Sequence, residues 1–472
     1  RSKGDYAGAE PLFRRALATN EKALGPEHPS TATSLDYLAG LLASKGDYAG
    51  AEPLFRRALA IKEKALGPEH PSTATPLNNL ALLLDMKGDY AAAEPLYRRA
   101  LATLERALGV DHPDAVRLIQ NLGLLLWAEG QHAEARDLLD RASRFEATNL
   151  SRWLMPFEEA EQRSLVSSLT SADVLMSFHL DQSNAERQAF WALLQRKGRL
   201  QEIRALQQRS ARRQPELFDR WHLAQRALEA CMGSDTTMSL LAGPAGKTRC
   251  GSGNSNVAER KRAASEARLA LEAAVPRGER DLGVVEFEEL LRSLRDGGWA
   301  LIEIANYRVL RPKGPWRERW GENRFAAYIL FPDGRVESKD LGEADRINRT
   351  VTTVRSLEAD PNSNMVAVRR AAKELYDQTM GQLEGVLKDQ SKLYVAADGD
   401  LGLIDFGSLI DRKGRWFVED HLVVNLTSGR DLVRLKRADA ERKGARGDYL
   451  VANPSFLFKD ARALRNGATA SA

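Results

Sequence analysis

The stretch Gly46-Asp47-Tyr48-Ala49-Gly50-Ala51-Glu52-Pro53-Leu54-Phe55-Arg56-Arg57-Ala58-Leu59 stands 42 residues earlier, from Gly4, without a change, and 42 residues later, from Gly88, with only two. A weaker copy opens at Gly130-Gln131-His132. A second series interleaves with the first: Gly25-Pro26-Glu27-His28-Pro29, Gly67-Pro68-Glu69-His70-Pro71 and Gly109-Val110-Asp111-His112-Pro113. A fixed period in this range marks a solenoid, because one such unit cannot bury its apolar face alone.

Within one period the pattern reads helix, turn, helix. Leu77, Leu80, Ala81, Leu83 and Leu84 recur at spacings of three and four, which is one buried helical face. Gly88 stops that helix, Asp89 caps the next, and Tyr90, Ala93, Leu96, Tyr97, Ala100 and Leu101 repeat the spacing until Gly109 and Pro113 end it. Pro11, Pro53 and Pro95 fall beyond the first turn of the second helix, where each is expected to remove a hydrogen bond and bend the helix slightly.

These letters resemble the tetratricopeptide repeat, in particular the elongated type of kinesin light chains, with its Gly-x-Tyr-x-x-Ala core and Leu-Gly-x-x-His-Pro closing turn. Against the usual period of about 34 residues, the extra residues are expected to lengthen the second helix and the inter-repeat loop. The resemblance implies a concave groove lined by the first helices and offered to a protein or peptide ligand. Aligning the repeats places Tyr37, with Asp36 before it, at the position of Asn78-Asn79 and Gln120-Asn121. An amide both donates and accepts, which suits it to an extended peptide backbone. The competing reading makes these ordinary solvated helix positions. The arginine pairs Arg14-Arg15, Arg56-Arg57 and Arg98-Arg99 read as a solvated outer face in preference to a basic stripe.

Composition narrows the function classes. With 472 residues, 43% of them hydrophobic, the chain has room for two or three domains. A net charge of +4 from 69 basic and 65 acidic residues implies no global field for nucleic acid. No stretch approaches the roughly 18 uncharged apolar residues of a membrane span. Two cysteines, Cys231 and Cys250, make no disulfide framework and fit a cytoplasmic location. The chain opens inside a repeat and without Met, so further repeats or a signal upstream are left open.

Beyond residue 146 the repeat ends. Residues 147–280 read as long charged helices, chiefly Asn184 to Ser210, Gln214 to Cys231 and Val257 to Ala274, with a flexible insertion at about 231–256. Inside it, Gly246-Lys247-Thr248 imitates a phosphate loop, but Leu241 stands where that loop needs its first Gly and no helix start follows. Neither cofactor nor metal is expected. From residue 281 onward short apolar runs alternate with helices. The runs are Trp299 to Ile304, Arg324 to Phe331, Lys392 to Ala397, Trp416 to Val418, Leu422 to Leu426 and Tyr449 to Ala452. The helices are Ala344 to Leu357 and Asn364 to Leu387. That alternation argues for an α/β layer.

Asp405-Phe406-Gly407 looks like the magnesium motif of a kinase, yet no Gly-rich loop, strand lysine or catalytic loop precedes it. Other blocks agree as a series: Arg324 to Gly334 with Asp340-Leu341-Gly342, Leu393 to Gly399, Asp405-Phe406 with Leu409, Phe417 to Asp420, Thr427 to Leu432, and Ala452-Asn453-Pro454. They resemble the amino-terminal half of the CHAT family, caspase-like domains that follow tetratricopeptide repeats. The expected architecture is therefore an α-solenoid over 1–146, a helical segment, and an incomplete caspase-like α/β domain over 281–472.

That resemblance implies a cysteine peptidase, whose thiolate attacks and whose imidazole handles the proton. The family places its His and Cys downstream of the Asn-Pro block, and between Pro454 and Ala472 there is neither. No catalytic residue is assigned; His421 reads as structural. Two functions stay open: the front of a repeat-regulated peptidase, or a non-catalytic scaffold with a degenerate domain.

Overall fold

The computed structural model describes residues 6–110, 113–154, 170–182, 185–232, 254–274, 283–314 and 318–441. Seven helices build the solenoid: α1 (Tyr6–Leu24), α2 (Pro29–Lys45), α3 (Tyr48–Leu66), α4 (Ala74–Met86), α5 (Tyr90–Leu108), α6 (Pro113–Glu129) and α7 (His132–Leu154). The two repeating motifs are its caps. Asp47 and Asp89 accept hydrogen bonds from the backbone N–H of Gly50 and Ala92 at the starts of α3 and α5. His28 and His70 do the same through Nδ1, at 3.1 Å from Ser30 N and Ser72 N, with Pro29 and Pro71 in the first position. Gly46 and Gly88 turn the chain between helices at φ of 89° and 81°. The helices run through Pro11, Pro53 and Pro95 without ending there.

The arginine pairs lie largely exposed, as a solvated outer face, and Arg57 and Arg99, with Arg141 in the weaker copy, also join one repeat to the next. Arg57, Arg99 and Arg141 each bond the Glu of the preceding repeat, Glu21, Glu63 and Glu105, and the closing-turn carbonyls of Pro26, Pro68 and Val110. Arg14, Arg56 and Arg98 pair within their own helix with Glu10, Glu52 and Glu94. Lys45 and Lys87 reach Glu10 and Glu52 from the next first helix. Repetition of the letters is thus repetition of bonds that join neighbours.

Helices α8 (Ser171–Gln182), α9 (Glu186–Arg196), α10 (Arg199–Arg213), α11 (Pro215–Met232) and α12 (Asn254–Ala274) follow. The single helix expected over Asn184 to Ser210 is broken at Gly198, whose φ of +73° and close approach to Ser428 exclude a side chain. Of the expected insertion, residues 233–253 lie outside the described residues, as does the run Tyr449 to Ala452.

The body that follows contains α13 (Phe287–Arg295), β1 (Ala300–Leu310), β2 (Trp320–Leu330), β3 (Val336–Glu343), α14 (Ala344–Ala359), α15 (Met365–Gln378), β4 (Lys392–Ala397), β5 (Leu422–Leu426) and α16 (Arg430–Glu441). The sheet order is β3-β2-β1-β4-β5, with β1 antiparallel to β2, β2 antiparallel to β3, and β1, β4 and β5 parallel. Strand β3 was not expected, since its Val336-Glu337-Ser338-Lys339-Asp340 is too polar to register as an apolar run. It placed a strand at Trp416 to Val418, where Phe417–Glu419 forms a 3-10 turn. It also carried α15 to Leu387, whereas the helix ends at Gln378 before a 3-10 turn at Met380–Gln382.

Side chains alternate across the sheet. Ile302, Ile304, Phe325, Ala327 and Ile329 pack under α14 and α15. Leu301, Ala305, Tyr307, Ala326 and Tyr328 face the other way, into a core that includes α8, α9, α13 and the leucines of α4 and α6. Solenoid and body therefore share one hydrophobic core. No helix among the described residues is long and apolar enough to cross a membrane.

Candidate functional site: a groove open in front and closed behind

The five residues expected in the groove occupy two equivalent positions on α2, α4 and α6. Tyr37 is 57% exposed, its ring 6.2 Å from that of Phe13. Asn78 is buried, and Asn79 and Asn121 are half-buried. The amides are partly spent already: Asn121 donates across repeats to Asn78 Oδ1 at 3.0 Å, and Asn78 donates to its neighbour Asn79 Oδ1 at 3.4 Å. Gln120 donates to Thr170 Oγ at 3.0 Å, just ahead of α8. The structure thus brings Asn78, Asn79 and Asn121 together, leaves Tyr37 facing solvent, and turns Gln120 to the chain's own body.

That body covers the third first-helix. Leu122 through Ala128 of α6 are all buried, and Trp127 packs edge-on against Phe178 while donating to Asp181 at 2.9 Å. One repeat earlier, Asp85 takes both terminal nitrogens of Arg319, at 2.8 and 3.1 Å, from the connection between β1 and β2. Both side chains are almost wholly buried. Along the first helices the body thus covers α6 and the Asp85 end of α4, while Tyr37 of α2 stays exposed.

Sequence reasoning passed over Asp85, Trp127 and Arg319. A signal was present: Ala43, Asp85 and Trp127 are repeat equivalents, and this is where the copies disagree. Lys62 is a second such break, standing where Asn20 and Leu104 stand in the neighbouring repeats. It lies buried 3.4 Å from Asp36. Burial pushes the Asp36 carboxyl up to about 6, against the pull of Lys62 and Asn79.

The body has a cleft of its own, about 600 Å³, at the carboxyl ends of β1, β4 and β5, where open α/β sheets receive ligands. Lys197, Asn306, Asp398, Asn425 and Thr427 line it. Lys197 sits 2.7 Å from the fully buried Glu303 and 3.8 Å from Asp398. Burial raises the Glu303 carboxyl above its ordinary range, with Lys197 and the Gly429 N–H opposing. Nearby, burial lifts Glu146 of α7 to about 7, countered by Ser171 and Arg196.

The remaining motifs are structural. Asp405 caps its own turn at the Gly407 N–H and accepts from Asn425, which accounts for the kinase-like letters. In Ser428-Gly429-Arg430-Asp431, Gly429 lies against Leu301 and Glu303, Arg430 is wholly buried on Glu202 and Gln195, and Asp431 accepts from the N–H groups of Thr427 and Ser428. His421 stacks on Phe417 at 4.1 Å, and His179 Nε2 meets Ser338 at 2.7 Å. Burial lowers both imidazoles below their usual value. Among the described residues no cluster of His, Cys, Asp or Glu is arranged for a metal ion. The Cys231 side chain and Cys250 lie outside them.

Residues 1–64, 36–106 and 87–145 match the tetratricopeptide repeat family, and residues 369–471 match the CHAT domain. The chain carries tetratricopeptide repeats, which bind protein partners, and a CHAT domain, which relates it to the caspase-like peptidases. Solved structures that it is similar to include the kinesin-light-chain TPR-like repeats from Podosopora anserina, 28% identical over 44% of this chain and 90% of that one, with a TM-score of 0.33. Another is BtubC (BKLC) from P. vanneervenii, 23% identical over 43% of this chain and 74% of that one, with the same TM-score. No curated protein matches the chain.

Proposed function

We propose that the chain is the partner-sensing portion of a CHAT peptidase system. A protein or peptide is captured on the open part of the first-helix face, at the exposed Tyr37 and the half-buried Asn79, with Asn78 buried beneath them. The observation that carries this reading is the asymmetry of the groove: the body fills it at α6 and leaves Tyr37 exposed at α2. Gln120 and Asn121 then act as the joint between groove and body, because Gln120 already holds Thr170. We place the CHAT body from about residue 150, upstream of the matched stretch, because β1 to β3 share one sheet with β4 and β5 and the helices α8 and α9 pack on that sheet. The location is cytoplasmic, with neither nucleic acid nor membrane as partner.

Hydrogen exchange of the full chain with a captured partner tests the reading. Protection is expected in α2 and α4, and protection confined to α11 and α12 contradicts it.

A non-catalytic scaffold is the second reading. The cleft at the sheet's carboxyl ends is the observation behind it: among the described residues its lining, which includes Lys197, Asn306, Asp398, Asn425 and Thr427 with apolar neighbours, has neither cysteine nor histidine. A thiol-directed peptidase probe that labels the chain at a single cysteine counts against the scaffold.

A further inference from the structure

The cleft of about 600 Å³ at the carboxyl ends of β1, β4 and β5 shares no lining residue with the groove. Among the described residues its charged lining is Arg196, Lys197 and Asp398. Both cations are matched by acids that lie outside the lining. Arg196 holds Asp173 at 2.8 Å. Lys197, with only 5% of its side chain exposed, holds Glu303 at 2.7 Å and donates to the Ile304 carbonyl at 3.1 Å. The charge left over in the cleft is that of Asp398.

The backbone fixes where that carboxylate stands. The Asp398 N–H extends the pairing of β4 with β1 to the Ile304 carbonyl at 3.0 Å, and its Oδ2 accepts from the Asn306 N–H at 3.2 Å. Gly399, at a φ of +61°, then turns the chain away from the strand end. Among the described residues Oδ1 accepts no hydrogen bond: Lys197 stands 3.8 Å from it and is committed to Glu303. The Asp398 side chain is 31% exposed on the cleft that it lines, so this oxygen is open to a ligand. Its charge reaches the neighbouring acids as well. Burial raises the carboxyls of Asp173 and Glu303, and the Asp398 charge adds to the rise. A cation seated on Asp398 relieves that repulsion.

The walls decide what carries the cation. Met176, Leu193 and Leu403 give the cleft an apolar side, and Leu403 is 62% exposed. A long aliphatic stem lies along such a surface while its charged head reaches a polar end, which is the build of lysine and arginine. The exposed Leu403 leaves room for the ligand's backbone to stay outside and rest on it, as a polypeptide does when one side chain enters.

We propose that this cleft is a binding site for a polypeptide segment, seating one lysine or arginine side chain with its cationic head on Asp398 Oδ1 and its stem along Met176 and Leu403.

The test is fluorescence anisotropy with the full chain and labelled short peptides that differ only at one central residue: Lys, Arg, acetyl-lysine or Glu. Acetyl-lysine keeps the stem and removes the charge. The Lys and Arg peptides are each expected to bind roughly tenfold more tightly than the acetyl-lysine peptide. Asp398→Asn retains an oxygen for the Asn306 N–H, which keeps it compatible with the fold, and is expected to erase that advantage. Leu403→Lys, at an exposed position, brings a competing cation and is expected to erase it too. Because the chain's net charge is +4, unspecific attraction favours the Glu peptide. Equal binding of Lys, Arg and acetyl-lysine, a preference for Glu, no measurable binding of any peptide, or an advantage that survives both substitutions overturns the inference. An advantage that survives Asp398→Asn and disappears in Tyr37→Ala assigns the peptide to the groove; it overturns the cleft site and leaves the groove reading standing.

Discussion

Arg319 closes on both carboxylate oxygens of Asp85, 234 residues away in the chain, and neither side chain is more than 3% exposed. An ion pair so deeply buried contributes little net stability when intact, yet its loss on one side leaves a charge without water or partner.

Asp85→Ala and Arg319→Ala are each expected to lower stability by about 3–5 kcal/mol, read as the shift in a urea unfolding curve. The double variant is expected to lose less than the sum, because neither charge is then stranded. A curve that stays a single transition in the wild type and splits in the variants locates the pair at the joint between solenoid and body. Additive losses contradict this assignment.

Lys62→Leu, which installs the residue of the next repeat, strands the buried Asp36 and is expected to cost about 2–4 kcal/mol at pH 7. Adding Asp36→Asn reproduces the Asn78 and Leu104 pair of that repeat and is expected to restore most of the loss. If the double variant is no better than Lys62→Leu alone, the ion pair is not the cause.

Glu146 supplies the pH dependence. Its folded pKa, about 7, lies above its ordinary value of 4.5, so the folded state binds the proton more tightly. Its contribution to stability is complete below pH 4.5 and is lost as the pH rises through 7. Glu146→Gln removes the charge and is expected to flatten that decline, gaining on the order of 3 kcal/mol at pH 8. Stability curves of equal slope between pH 5 and pH 8 would falsify the assignment.

The closing turns carry a smaller prediction. Replacing His28 or His70 with Ala removes a cap acceptor and is expected to cost about 1 kcal/mol each, measured by thermal melting. Substituting Glu27 or Glu69, whose exposed ion pairs with Lys64 and Arg106 contribute less than a cap, serves as the comparison.

Period and capping letters made the solenoid legible, since every helical hairpin repeats the same stops. Strands β1, β2, β4 and β5 were legible as apolar runs, and β4 and β5 matched residue for residue. Polar β3 escaped because an edge strand is not required to be apolar on both faces. The groove positions were located by repeat alignment, but their hydrogen bonds were not, because an amide that can hold a peptide can equally hold the next repeat. The contacts that close the groove fell where the copies differ, at Ala43, Asp85 and Trp127, and agreement between copies is what the alignment had sought. No local pattern announces Arg319, whose partner is set by tertiary packing.

The most direct test of the account is hydrogen exchange on the full chain carrying Tyr37→Ala, alone and with its captured partner. Loss of partner protection across α2 and the front of α4, with α6 unchanged in both states, is the expected result. Undiminished protection of α2, or partner-induced change confined to α6, would contradict a groove that is open in front and closed behind.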